Sequence, residues 1–124
     1  MATFKSYRDL EVWQRSMTLA KRIYQITQSF PADERFGLTN QLRRASVSVP
    51  SNLAEGHARF GPGEFARFIS IAMGSVAEIE TQLLLSADLG YLKSEANGQL
   101  LAELETIGKM LRGLAKSITR RRNV

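Results

Sequence analysis

The chain has 124 residues, no cysteine, one histidine and a formal net charge of +5, with an isoelectric point near 10.0. That length suits one domain whose core needs no metal or disulfide, and the missing cysteines exclude a disulfide framework, a thiolate metal site and a thiol nucleophile. The opening Met-Ala-Thr-Phe-Lys-Ser has no apolar signal core, and no apolar run approaches the roughly 20 residues that span a bilayer, so a cytoplasmic protein without a membrane partner is expected.

Asp9 can cap a first helix running to about Ser29. Phe30-Pro31 stops it, because the residue before a proline is pushed away from the helical region. This helix carries two apolar stripes. Leu10, Trp13, Met17, Ala20 and Tyr24 form one; Val12, Leu19, Ile23, Ile26 and Phe30 form another, rotated from the first. A bundle helix usually needs one apolar face about 100° wide. The surplus predicts a contact with another copy, with Val12, Trp13, Leu19, Ile23, Ile26 and Phe30 as candidate interface residues; wide burial within one protomer is the alternative.

A second helix is expected from about Leu38 to Ala58, broken at Pro50, which has no N–H for residue 46 and crowds its carbonyl. Asn52 and Glu55 resemble a capping box that restarts it. Leu42, Ala45, Val49, Leu53 and Gly56 form its apolar face, and Arg44, Ser48, Asn52, Glu55 and Arg59 a polar stripe across the break. That stripe has two readings. In one, Glu55 and Arg59 pair and Ser48 and Asn52 satisfy backbone groups freed by Pro50. In the other, Arg43, Arg44 and Arg59 face a groove or channel and meet phosphates.

Gly61-Pro62-Gly63 separates a third helix, which continues to Leu89, with Gly90 as a left-handed cap. Gly74-Ser75 in its middle predicts a close helix approach, at about 1 kcal/mol of lost helix propensity for the glycine. The fourth helix begins near Ser94. Its Leu100, Leu104, Ile107, Leu111, Leu114 and Ile118 step by four and three, which is a bundle seam. Short connections then predict an all-α, antiparallel up-down-up-down four-helix bundle, one domain over 1–124 with its core at about 9–119 and a basic tail at 120–124.

Charge is unevenly spread. Between Val76 and Ile107 lie Glu78, Glu80, Asp88, Glu95, Glu103 and Glu105 against Lys93 alone; from Lys109 onward come Lys109, Arg112, Lys116, Arg120, Arg121 and Arg122 and no acid. These six are candidate phosphate contacts along with Arg43, Arg44 and Arg59, although cations also suit a helix C-terminus or a solvated tail.

Leu10-Glu-Val-Trp13, Phe36-Gly-Leu-Thr39, the segment from Gln41 to Gly56, Phe65 and Ile71-Ala-Met-Gly-Ser75 occur in an order that resembles a bacterial four-helix-bundle family. Its members include the intervening-sequence proteins encoded by insertions in large-subunit ribosomal RNA genes, and the accessory protein of diversity-generating retroelements. The resemblance runs from about Phe4 to about Ile118. It implies a ring-shaped homo-oligomer, a pentamer, with RNA, DNA, a reverse transcriptase or another protein as partner.

Catalytic patterns are sparse. His57 and Glu55 are two apart and do not share a helix face, as is true of Glu78 with Glu80 and Glu103 with Glu105, which read as solvated faces. There is no Glu-x-x-His pair for a di-metal site. Gly61-Pro-Gly63 lacks the Gly-Lys-Ser/Thr of a phosphate loop. Ser46, Ser48, Ser51 and Ser75 have no sequence-placed base. No cofactor, metal or enzymatic activity is expected. The reading is a non-catalytic, homo-oligomeric nucleic-acid-binding or accessory module; a protein-interaction scaffold is the alternative. No aromatic residue is interleaved with the basic tail, so single-strand recognition in the style of the oligonucleotide-binding barrels is not supported.

Overall fold

The computed structural model describes residues 6–122, with side chains as far as Thr119. Four helices, α1 (Glu11–Thr27), α2 (Leu38–Ala58), α3 (Pro62–Asp88) and α4 (Ser94–Arg122), run up and down a four-helix bundle, and the described residues contain no strand.

Asp9 does not cap α1. It closes a short 3-10 turn, Tyr7–Asp9, whose N-terminus Ser6 caps; α1 then starts at Glu11 behind Leu10 without a side-chain cap. The helix stops at Thr27, whose Oγ1 donates back to the Ile23 carbonyl at 2.7 Å. At this same end of the bundle, Glu34 joins two connections. Its Oε1 accepts from the Leu38 amide at 3.1 Å, serving α2 as a cap, and its Oε2 accepts from the Tyr91 hydroxyl at 3.0 Å.

That bond to a carboxylate, aided by burial, raises the Tyr91 pKa above its ordinary value. A raised folded value means the bond's stabilisation is complete below the ordinary tyrosine range and is lost as pH climbs through the folded value. Tyr91→Phe should therefore lower the unfolding midpoint at neutral pH and flatten its alkaline fall, as read by thermal melts from pH about 8 to 11.

The core is built from one stripe of each helix: Leu19 and Ile23 of α1, Leu42, Val49 and Leu53 of α2, Ile69, Ile79 and Leu83 of α3, and Leu100, Leu104, Ile107 and Leu111 of α4. Here the expected interface on α1 is corrected. Val12, Leu19, Ile23 and Phe30 lie buried inside the protomer and Ile26 is half-buried, because this stripe faces the other three helices. The other stripe carries the surplus, with Trp13 half-buried and Met17 and Tyr24 exposed. Glu103 is corrected too: its carboxylate takes a fork of bonds from Arg15, at 2.8 and 3.2 Å, tying α4 to α1.

Pro50 does not interrupt α2, which is one helix from Leu38 to Ala58. The proline removes a donor, but its ring is buried, and packing holds the helix together across it. Asn52 restarts nothing; its amide donates to the Ser48 carbonyl at 2.8 Å and to Ser48 Oγ at 2.9 Å.

The close approach of α2 to α3 falls at Gly56 and not at Gly74. A Cβ on Gly56 would stand 2.6 Å from Phe68 Cβ and 3.2 Å from Phe65 Cδ1, whereas one on Gly74 meets nothing within 4 Å. Alanine should thus act with opposite signs at the two sites. Gly74→Ala should stabilise by about 0.5–1 kcal/mol through helix propensity. Gly56→Ala should destabilise by about 1–2 kcal/mol, since overpacking outweighs the same gain. Urea unfolding of both variants checks the pair.

By composition and length α3 passes for a membrane span. That apolarity exceeds what the run-length reading expected, and its buried side, from Phe68 through Val76 and Ile79 to Leu83, is spent on the bundle core.

Candidate nucleic-acid interface

The structure sorts the candidate cations by what already occupies them. Arg43 is committed to the fold. Its Nε donates to Thr27 Oγ1 at 2.9 Å and its terminal nitrogen to the Tyr24 carbonyl at 3.3 Å, with the guanidinium 4.7 Å from the Tyr24 ring centre. It therefore closes the C-terminal end of α1, where carbonyls lack intrahelical donors. Arg59 is engaged as well. It pairs with Glu55 at 2.7 Å and Glu64 at 3.5 Å and lies 4.8 Å over the Phe68 ring. The hydrogen bond to Glu55 leads the causes that raise its pKa. Glu55 is the pairing partner that the structural reading of the stripe expected.

Ser48 and Asn52 form the rest of a cross-helix chain. Asn52 donates to Ser48, Ser48 Oγ and Ser75 Oγ share a hydrogen bond of 2.7 Å, and Ser75 Oγ returns to the Ile71 carbonyl at 3.3 Å. The chain locks α2 to α3. The carbonyl Asn52 takes is that of Ser48, not the Ser46 carbonyl that Pro50 leaves without its helical donor. His57 stands edge-on to Phe65 at 5.6 Å and to Tyr7 at 6.5 Å, packed between aromatic rings. Among the described residues, no three His, Asp or Glu side chains converge as a metal site.

Arg44 is exposed on α2. On α4, Lys109 pairs with Glu105 at 3.5 Å, both side chains solvated, so the pair is worth little. Arg112 and Lys116 are exposed and make no ion pair among the described residues. The helix backbone carries on to Arg122; the side chains of Arg120, Arg121 and Arg122 lie outside the described ones. Among the described residues, Arg112 and Lys116 of α4 and Arg44 of α2 are thus the candidates whose positive charge is not already paired within the fold.

A second feature escaped the sequence reading in its details. Trp13, Met17 and Tyr24 of α1 and Val47, Pro50 and Ala54 of α2 line an open apolar groove of about 570 Å³, with Lys21 and Gln25 at its rim. Tyr7 closes it by meeting Trp13 edge-on at 5.4 Å. The signal was the stripe from Leu10 to Tyr24; Val47, outside both stripes read on α2, gave none.

The described residues thus form an all-helical four-helix bundle with a polar lock between α2 and α3 and an apolar groove between α1 and α2. The family model of the 23S rRNA-intervening sequence proteins matches residues 8–113, and the chain belongs to that family. The crystal structure of a protein of unknown function from the S23 ribosomal protein family of Bacteroides thetaiotaomicron is similar, with a TM-score of 0.76 and 23% identity over 85% of this chain and 98% of that one. At that identity the likeness carries the fold. No curated protein matches.

Proposed function

We propose that this protein is a non-catalytic, self-associating cytoplasmic module that binds nucleic-acid phosphates through the second half of α4. The observation that carries the reading is the pair of exposed cations Arg112 and Lys116 on a helix that runs on into Arg120, Arg121 and Arg122 with no acid after Lys109. Such cations release condensed counterions when they meet a polyanion, which gives affinity without reading sequence. Arg44 adds a further exposed charge on α2; Arg43 and Arg59 are set aside because their guanidinium groups serve the fold.

The groove between α1 and α2 supports self-association. Its Trp, Tyr and Met lining is the composition enriched at protein interfaces, and a pentamer is the assembly that the family resemblance implies. Each copy then brings the same +5 to one particle, so several weak contacts act together. The scaffold reading, in which the groove takes a partner protein instead, is favoured by the same lining.

A salt titration separates them. Retention of labelled RNA and DNA should fall log-linearly with salt if phosphates are bound. Retention absent even at low salt leaves only the scaffold.

A further inference from the structure

One side chain at the turn from α2 to α3 has no packing role. Phe60 is 100% exposed. The backbone beneath it is closely specified: Gly61 has φ 88 and ψ 153, a conformation essentially reserved for glycine, and Pro62 fixes the first residue of α3. Its neighbours are satisfied among themselves. Arg59 and Arg67 pair with Glu55 and Glu64, and both guanidinium groups stand 4.8 Å from the Phe68 ring, which is buried. Phe60 alone is left uncovered, among exposed glycines and charged residues and outside any apolar patch.

The same end of the bundle receives the basic end of α4. Because α3 and α4 are antiparallel, Met73 and Val76 share a groove with Gly108 and Arg112, while Leu84 shares one with Gly98. At 1.5 Å per residue, α4 advances about 15 Å from Arg112 to Arg122, and α3 covers about 16 Å from Met73 back to Pro62. The ring and the acid-free helix end therefore come level. Arg8, exposed on the N-terminal turn, joins them, since its neighbour Tyr7 touches His57 near the end of α2. The acids here are Asp9, Glu11, Glu55 and Glu64; Arg15 answers Glu11, and Arg59 and Arg67 answer Glu55 and Glu64.

We propose that this end of the bundle binds single-stranded nucleic acid, with an unpaired base stacked on Phe60 and the flanking phosphates held by the cations of α4. The inference rests on the phosphate-binding reading and narrows it to unpaired strands. Phosphate contacts alone need no aromatic ring. A duplex keeps its base faces inside the stack, whereas a single strand offers them, and base–aromatic stacking tolerates any sequence. A lone ring with no apolar surround is a poor hydrophobic dock but a sufficient platform for one base.

The test uses the full chain with a labelled oligothymidylate, the matching oligouridylate and a duplex of equal length. Phe60→Ala should weaken both single strands about tenfold, the scale of one missing stacked base. Duplex binding, the salt slope and the unfolding midpoint should be unchanged, and Phe60→Trp should restore the loss. Equal weakening of strand and duplex, or a fall in oligomer mass with Phe60→Ala, would assign the ring another role and overturn the proposal. If the unaltered protein binds strands with a steep salt slope and Phe60→Ala changes nothing, stacking alone is wrong. If it retains no nucleic acid at low salt, the phosphate reading and this one fail together.

Discussion

Replacing Arg112, Lys116, Arg120, Arg121 and Arg122 with alanine should weaken nucleic-acid binding on the order of a hundredfold at about 0.1 M salt. The slope of log affinity against log salt should become shallower by up to about 4.5, near 0.9 for each phosphate of duplex DNA that is no longer neutralised. Arg112 and Lys116 are exposed, so their removal opens no cavity. Alanine is also the best helix former, which offsets part of the forfeited attraction between cations and the negative end of α4. The bundle should therefore keep its fold and its mass in light scattering. Lys109→Ala serves as a control, because Lys109 already faces Glu105 at 3.5 Å. Arg43→Ala serves as another with a different signature: it should lower stability by about 1–3 kcal/mol by leaving the end of α1 open, without changing the salt slope. Undiminished binding in the fivefold variant would remove the phosphate role from α4.

Trp13→Ala should lower the oligomer mass, at a cost to assembly of about 2 kcal/mol or more, the scale of an interfacial hot spot. Trp13 is half-buried in the protomer, leans on Tyr7 and lines the groove with Met17 and Tyr24. Leu19→Ala, on the opposite stripe of the same helix, should behave differently. Leu19 is 1% exposed, within the core. Its truncation should cost about 2–5 kcal/mol of protomer stability through reduced transfer energy and a cavity. Light scattering together with urea unfolding distinguishes the two variants. A Trp13→Ala protein with native mass would show that the groove is not where copies meet.

These variants also mark where sequence reasoning reached and where it stopped. The four helices, their order and the glycine after α3 follow from local patterns. The α4 seam from Leu100 to Ile118 keeps its period throughout, and Gly90 has the positive φ, 81°, that a left-handed cap requires. Side chains three and four apart must share a helix face whatever the rest of the molecule does. The acid-free run after Lys109 is equally a property of the chain.

What the pattern left open was every choice between equivalent faces. Two stripes on α1 are both apolar, and only the position of the other three helices decides that Leu19 points inward and Met17 outward. Gly56 and Gly74 look alike in sequence; the approach of Phe68 singles out the first. Arg43 read as a free cation until the end of α1 came within reach of it. Phe60 lies far along the chain from the end of α4, so no local window shows that the turn after α2 and that helix end lie at one end of the bundle. Periodicity specifies which residues lie on one face of a helix. Which face meets a neighbour, and which distant residues end up side by side, depends on contacts between helices, and those are made only when the bundle folds.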